Sequence, residues 1–381
     1  MGRSVRAGLR ALALAAAVSA PRALPVAAQH DGRAPVPSPD TMRVMRMGVE
    51  RSLAVVPLVF SSPVTGVGFG LDLLGLSAPR GDSTTRPTRM QLALIYTTRS
   101  QAIADIQFDI WTRGNRWNLS GQVEGNLYPQ PFFGIGPNDP ALVGEEFDLH
   151  MAGALLRGQR ELREGLFLTM GTRLRAWNVD SLLPGGLLAT SGVAGVAGGH
   201  FVGFEAGLAR DTRDLPLNAR TGSLLAASLF ASSRAWGSGF SWATLTLDGR
   251  WYAPVLRGRT LAVQVQAQHA IGDPVFEFMP NLGGPFDLRA YVNNRWRDKA
   301  MAFAQAELRT PVWWRFGAVG FAGVGGVARS FGAFRAAELR PSVGLGLRFA
   351  IVPARGANVR ADFAVGAGGQ RAFYLNFGEA F

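Results

Sequence analysis

Trp117-Asn118-Leu119-Ser120-Gly121-Gln122-Val123-Glu124-Gly125-Asn126 alternates, residue by residue, between an apolar or small side chain and a hydrophilic one. Successive side chains of an extended strand point to opposite faces. Trp117, Leu119, Gly121 and Val123 therefore share one face, and Asn118, Ser120, Gln122, Glu124 and Asn126 the other. The pattern recurs where Leu261, Val263, Val265 and Ala267 interleave with Gln264, Gln266 and Gln268. It recurs again where Leu245, Leu247 and Trp251 interleave with Thr244, Thr246, Asp248 and Arg250. Period alone fits either a soluble sandwich, apolar face inward, or a membrane wall, apolar face outward. These polar faces are too hydrophilic for a dry core, which favours the wall.

The N-terminus supports that choice. Arg3, Arg6 and Arg10 precede an apolar run from Ala11 to Ala20, and Val26-Ala27-Ala28 stands before Gln29. This is the pattern of a secretory signal peptide over 1–28, its apolar run only about half of what a spanning helix needs. After Ala28 no segment reaches the roughly eighteen apolar residues of a transmembrane helix. Yet 48% hydrophobic residues, 48 glycines and only 17% charged residues make the chain more apolar than most secreted proteins. A barrel reconciles the two, because only alternate residues face lipid. Cysteine is absent, so closure of the backbone hydrogen bonds, not disulfides, must hold the fold. Of the formal charge of +12, four arginines (Arg3, Arg6, Arg10, Arg22) belong to the signal, leaving +8. In a secreted glycine-rich chain this excess points to anionic lipid or an arginine-lined lumen, and not to nucleic acid.

Residues 29–49, with Pro35, Pro37 and Pro39, read as a short periplasmic leader. Residues 50–381 read as an all-β, transmembrane antiparallel β-barrel of about sixteen strands. The strands are expected to start near Glu50, Val64, Arg89, Ala102, Arg116, Glu146, Gly165, His200, Thr221, Ser238, Thr260, Lys299, Arg315, Leu339, Ala357 and Arg371. With the N-terminus in the periplasm, the long connections 128–144, 179–199 and 271–298 are extracellular, and a connection as long as the last is more often functional than idle.

At that last connection the sequence becomes more specific. Leu282-Gly283-Gly284, Leu288-Arg289-Ala290-Tyr291 and Glu307-Leu308-Arg309-Thr310-Pro311 resemble the sixth extracellular loop and following strand of the BamA/TamA-type surface-antigen family of outer-membrane barrels. Other segments agree in order: Tyr128-Pro129 with Phe132-Phe133-Gly134-Ile135-Gly136, Asp211-Thr212-Arg213-Asp214 with Pro216 and Gly222, Arg360-Ala361-Asp362-Phe363-Ala364, and Phe373 to Phe381. The resemblance covers most of the chain from Glu50 onward and leaves no room for the family's periplasmic POTRA repeats. It implies that Leu288, Arg289 and Tyr291 enter the lumen and that wall carboxylates receive the arginine. Ala290 stands where the family has glycine, and Phe321-Ala322-Gly323-Val324-Gly325 lacks the family's receiving aspartate. By alternation Glu307, Asp362 and Asp248 point inward and are the candidate partners, Glu307 foremost because it follows the loop directly. On composition alone a loop arginine is more often solvated; a buried one needs a carboxylate.

The resemblance further implies insertion or translocation of unfolded outer-membrane or secreted proteins, through a parting seam between the first and last strands. A terminal Phe381 resembles the signal by which the outer-membrane assembly machinery captures its clients. The alternative is a passive pore for small solutes, lined by Asn118, Gln122, Gln264, Gln266 and Arg360. No enzyme, cofactor or metal is expected. The four histidines, His30, His150, His200 and His269, lack zinc-ligand spacing, no Gly-x-Ser-x-Gly accompanies them, and the glycine-rich stretches lack the following helix of a phosphate site.

Overall fold

A computed structural model describes residues 49–62, 66–79, 85–137, 144–256, 258–353 and 356–381. The expected signal peptide, and the leader up to its last residue, lie outside the described residues. The wall opens with β1 (Val49–Ser62), β2 (Gly66–Pro79), β3 (Thr88–Thr97), β4 (Ala102–Trp111), β5 (Trp117–Phe132) and β6 (Glu145–Arg163). It continues through β7 (Leu166–Asp180), β8 (Gly199–Asp211), β9 (Gly222–Ser232), β10 (Trp242–Leu256) and β11 (Arg259–Gly272). A two-stranded hairpin, β12 (Asn281–Leu282) and β13 (Trp296–Arg297), interrupts it. Then come β14 (Ala300–Trp313), β15 (Phe316–Ala328), β16 (Arg340–Val352), β17 (Ala357–Gly366) and β18 (Arg371–Phe377).

Apart from the β12–β13 hairpin, the strands form one sixteen-stranded sheet in chain order. The sheet curls until Cα atoms of β1 and β18 come within 8 Å, giving an all-β antiparallel barrel. Alternation decides which face is which. Along β5, Trp117, Leu119 and Val123 are exposed on the outside, while Asn118, Ser120, Gln122 and Glu124 are buried inside. The longest connections, 133–144, 181–198 and 273–299, lie at one end (the loop end), and most connections at the other (the turn end), where the tail after β18 also lies, are hairpins of two to five residues.

All strands except β10 begin within two residues of their expected positions. β10 starts at Trp242 and not near Ser238, because Ser238 serves β8: its hydroxyl accepts from the Val202 N–H (2.8 Å) and donates to the Val202 carbonyl (2.7 Å). The loop expected from residue 128 begins later, since β5 runs through Phe132. Beyond Leu127 that strand pairs only with β6, so Pro129 and Pro131 lie where one edge has no strand partner, the place a sheet tolerates proline. The carbonyl of Pro129 still accepts from Gln101 Nε2 at 2.8 Å. Likewise β7 extends through Asp180, past the expected loop start at 179.

Side chains pack across the lumen at both ends. At the loop end Phe132, Phe147, Trp177, Phe201, Phe230 and Trp242 converge from the wall, joined by Leu188 and Phe276 from two loops. Leu188 comes from a single helical turn, α1 (Leu187–Thr190), whose Leu187 and Leu188 N–H groups donate to the Glu145 carboxylate. At the turn end Ala380 and Phe381 pack with Tyr252, Ala219 and Ala262.

Close approach explains particular inward glycines. A Cβ on Gly344 would lie 2.3 Å from the Phe363 carbonyl oxygen and 2.4 Å from the Phe321 ring. On the outer face of the neighbouring strand, a Cβ on Gly320 would meet nothing closer than 3.8 Å. Gly344→Ala is therefore expected to destabilise the barrel by about 1–3 kcal/mol through overpacking, and Gly320→Ala by less than about 0.5 kcal/mol. The midpoint of the heat-induced loss of the compact electrophoretic form, compared for the two variants, checks the contrast.

Candidate functional site

The connection between β11 and β14, residues 273–299, turns inward rather than standing above the rim. Leu282, Leu288, Ala290, Tyr291 and Trp296 are buried against Met301, Phe303, Val319, Phe321, Val327 and Ala364 of the wall. The path needs unusual backbone. Gly283 holds φ 109°, and a Cβ there would lie 2.4 Å from the Val292 carbonyl oxygen. Its N–H donates to Asp287 at 3.2 Å, which closes the turn. Leu288 (φ 42°) and Ala290 (φ 157°) take up conformations that favour glycine.

This backbone aims Arg289 at the wall. The side chain is 1% exposed. Nη2 lies 2.6 Å from Glu307 and Nη1 2.9 Å from Asp362, while the guanidinium sits 3.6 Å over the Phe321 ring. Phe321 belongs to the strand that lacks an aspartate, so an aromatic face and two carboxylates from β14 and β17 receive the cation. Asp248 is not part of this group. It lies on β10, 2.5 Å from Arg250, and accepts from Gln264 at 3.1 Å; its strand is separated from β14 by β11.

Sequence reading missed the size of the cluster. Arg309 lies 2.8 Å from Glu307, Arg348 lies 2.6 Å from Asp362 and 2.7 Å from Glu379, and Arg360 lies 2.7 Å from Asp362. Arg289, Arg309, Arg348 and Arg360 thus surround Glu307, Asp362 and Glu379. Alternation alone would place Arg309 and Arg348 inward beside Glu307 and Arg360. The wall also grips the loop backbone: Arg360 donates to the Pro285 carbonyl (2.8 Å) and Gln305 to the Phe286 carbonyl (2.7 Å).

Tyr291 extends the contacts to the last strands. Its hydroxyl donates to the Pro341 carbonyl (2.5 Å) and accepts from the Ala367 N–H (2.8 Å), and Tyr374 of β18 donates to the Tyr291 carbonyl (2.6 Å). Burial pushes the Tyr291 hydroxyl pKa up, which keeps it a donor. Phe381, expected at the end of the last strand, lies beyond it. β18 ends at Phe377, Gly378 takes φ 70°, and the tail crosses the turn end so that the Phe381 carbonyl oxygen accepts from Arg309 at 2.9 Å.

Other residues occupy separate places. Arg86, which the sequence did not single out, enters the turn end 4.2 Å from the Trp111 ring centroid and 5.0 Å from that of Phe167. Burial pulls its pKa down to about 10 against the opposing influence of Asp211, leaving it charged at neutral pH. Gln264, one of the expected pore-lining residues, is tied to Asp248 and Gln305. His150 lies 3.5 Å from Asp180, and the nearby Ser181 hydroxyl donates to Asp148.

A family profile described as the Omp85 superfamily domain matches residues 111–381. The chain belongs to the Omp85 superfamily. Among solved structures it resembles BamA from Haemophilus ducreyi lacking POTRA domains 1–3, at 11% identity and a TM-score of 0.56, over 88% of this chain and 70% of that one. It also resembles CdiB from Acinetobacter baumannii, at 10% identity and a TM-score of 0.55, over 87% of this chain and 60% of that one. At such identities the likeness is one of fold. Comparison with curated proteins gave no match. As an Omp85 barrel the protein resides in the outer membrane of a Gram-negative bacterium and crosses it with its strands, apolar face to lipid.

Charge arithmetic ranks the members of this Omp85 cluster. Arg289→Gln leaves three guanidiniums facing three carboxylates, whereas Glu307→Gln leaves four facing two. Stranding a buried charge costs about 3–5 kcal/mol, while losing a charged hydrogen bond without stranding one costs about 1.5–3 kcal/mol. Glu307→Gln is expected to be the more damaging, measured by urea midpoint and by tryptic cleavage after Arg295 and Arg297 in folded barrels. A larger loss for Arg289→Gln would contradict the ranking.

Ala290 offers an opposite sign. Relief of a backbone strain of about 1–3 kcal/mol exceeds the roughly 0.8 kcal/mol lost with a buried methyl. Ala290→Gly is thus expected to raise the unfolding midpoint or leave it unchanged. A clear drop would show that the backbone there is relaxed.

Proposed function

We propose that this barrel takes part in inserting or translocating protein chains at the outer membrane, with loop 273–299 as a lock that closes the lumen. The chain's loop end then faces outward and its turn end the periplasm. Clients would be unfolded outer-membrane or secreted proteins, and the route would be the seam where β1 and β18 meet. The protein itself would enter the membrane as a client of the assembly machinery, with the segment ending in Phe381 as its signal. No catalytic chemistry is assigned to it.

The observation that carries the reading is that one loop fastens both the lumen and the last strand. Arg289 bonds to β14 and β17, and the carbonyl of Tyr291 accepts from Tyr374 of β18. A passive pore has no use for a lumen packed at both ends, and Asn118, Gln122, Gln264 and Arg360, which would line it, are bonded to Asp109, Asp105, Asp248 and Asp362.

Conductance in planar bilayers tests the lock. The parent barrel is expected to be closed, and a variant lacking residues 285–297 to be open; a large and unchanged conductance in both would leave a pore. The seam is tested separately. The chain has no cysteine, so one cysteine placed between Ser52 and Val56 and another between Ala372 and Asn376 can form only the intended tether. Oxidation is expected to abolish insertion of a second barrel into vesicles carrying the protein, and reduction to restore it. Insertion that is indifferent to the tether would rule out the seam as the route.

A further inference from the structure

The hairpin joining β14 to β15 at the turn end reads Val312-Trp313-Trp314-Arg315-Phe316. Simple alternation would put Trp313 on the lumen face with Glu307 and Arg309. The register of β14 against β15 slips between Pro311 and Trp313, and such a bulge re-aims the side chain that follows it. Trp313 consequently lies parallel to Phe316, centroids 6.3 Å apart. Trp314 meets Phe349 at 6.0 Å, and Phe316 meets Phe349 at 5.1 Å. Phe316 and Phe349 share the outward parity of Leu345 and Leu347, so all four rings belong to the outer surface.

The two indoles are 72% and 70% exposed, more than any other aromatic side chain among the described residues. Trp314 is also held at φ 50°. Other hairpins at this end give left-handed positions to glycine or asparagine, as at Asn115, Gly165 and Gly258, because a branched-off Cβ is strained there. A strained, bare tryptophan has no counterpart interaction in water. A bilayer interface supplies one, since indoles favour headgroup depth. The patch is continuous with the lipid-facing wall through exposed Val312 and Leu347. Above Trp314, at 5.1 Å, lies the Arg315 guanidinium, a planar donor matched to a phosphate.

We propose that the Trp313-Trp314-Arg315 hairpin is a phospholipid site. The indoles lie at the glycerol level of the leaflet on the turn-end side, and Arg315 binds the headgroup phosphate of one phospholipid. The bulge and the left-handed Trp314 are what turn both rings to that surface. This site does not depend on whether the seam opens or the loop leaves the lumen.

The test uses the full chain refolded into vesicles of phosphatidylethanolamine and phosphatidylglycerol. Subtracting the fluorescence of a Trp313→Phe/Trp314→Phe variant from that of the parent isolates these two of the 9 tryptophans. Lipids brominated high on the acyl chain are expected to remove most of that difference signal, lipids brominated near the chain end less, and aqueous iodide little. Quenching by iodide and by neither lipid would place the hairpin in water, free for a protein partner, and would overturn the proposal. In detergent micelles, adding phosphatidylglycerol is expected to raise the unfolding temperature of the parent and not that of Arg315→Gln. An equal rise in both would overturn the phosphate contact. Both variants leave the lumen untouched, and their folding is verified by the compact electrophoretic form.

Discussion

A backbone inside a bilayer has no water to bond, so every N–H and C=O must find a partner within the sheet. That requirement dictates the continuous pairing of the wall strands in chain order and the approach of β18 to β1. It also fixes the outer face, because residues of one parity then meet hydrocarbon. The other parity is left facing a narrow lumen, where Glu124, Arg157, Arg175, Glu205 and Arg250 could not remain charged without partners. They are paired in place: Arg157 with Glu205 at 2.6 Å, Arg175 with Glu124 at 2.5 Å, and Arg250 with Asp248 at 2.5 Å. The polar interior is a consequence of closure and needs no transport function to explain it.

Around Glu307 and Asp362 pairing within the wall is not enough. Removing an ion pair from water costs several kcal/mol per charge unless geometry and further hydrogen bonds compensate. Here the loop supplies what the wall lacks, the carbonyls of Pro285 and Phe286 as acceptors for Arg360 and Gln305 and an apolar cover of Leu288, Tyr291 and Trp296, while its Arg289 adds a further bond to each carboxylate. Loop and wall are therefore one folded unit. Taking the loop out would expose that apolar set and leave three arginines around Glu307, Asp362 and Glu379 to be solvated by whatever replaced it.

The sequence carried this unit unevenly. Strand positions were legible because period-two alternation is repeated many times and errors do not accumulate past a turn; β10 was misplaced where a serine hydroxyl imitates a ladder partner. The loop residues Leu288, Arg289 and Tyr291 could be named from their resemblance to a family, and Glu307 and Asp362 from parity. Asp248 shares that parity but not the place, since alternation gives the face of a strand and says nothing of distance across the lumen. Arg309 and Arg348 were legible by the same parity, beside Glu307 and Arg360, whereas Glu379 was not, because it lies beyond the end of β18, where alternation does not reach. Phe381 escaped because a left-handed Gly378 takes the chain off the strand, and Arg86 because its neighbours Trp111 and Phe167 come from other hairpins.

The position of Tyr291 ties the lumen to the edge of the sheet. β18 has a single ladder partner, β17, among the described residues, so its inner contacts weigh heavily in its placement. Tyr374 donates to the Tyr291 carbonyl, and beyond Gly378 the tail is held by Arg348, Asn358 and Arg309. Arg348 and Arg309 are the same guanidiniums that flank Asp362 and Glu307. Anything that draws Arg289 away from those carboxylates shifts the charges that hold the tail, and moves the carbonyl to which β18 is bonded. Loop and terminal strand therefore share partners: Arg289 and the tail-holding Arg309 and Arg348 meet the same two carboxylates, and Tyr374 of β18 donates to the Tyr291 carbonyl.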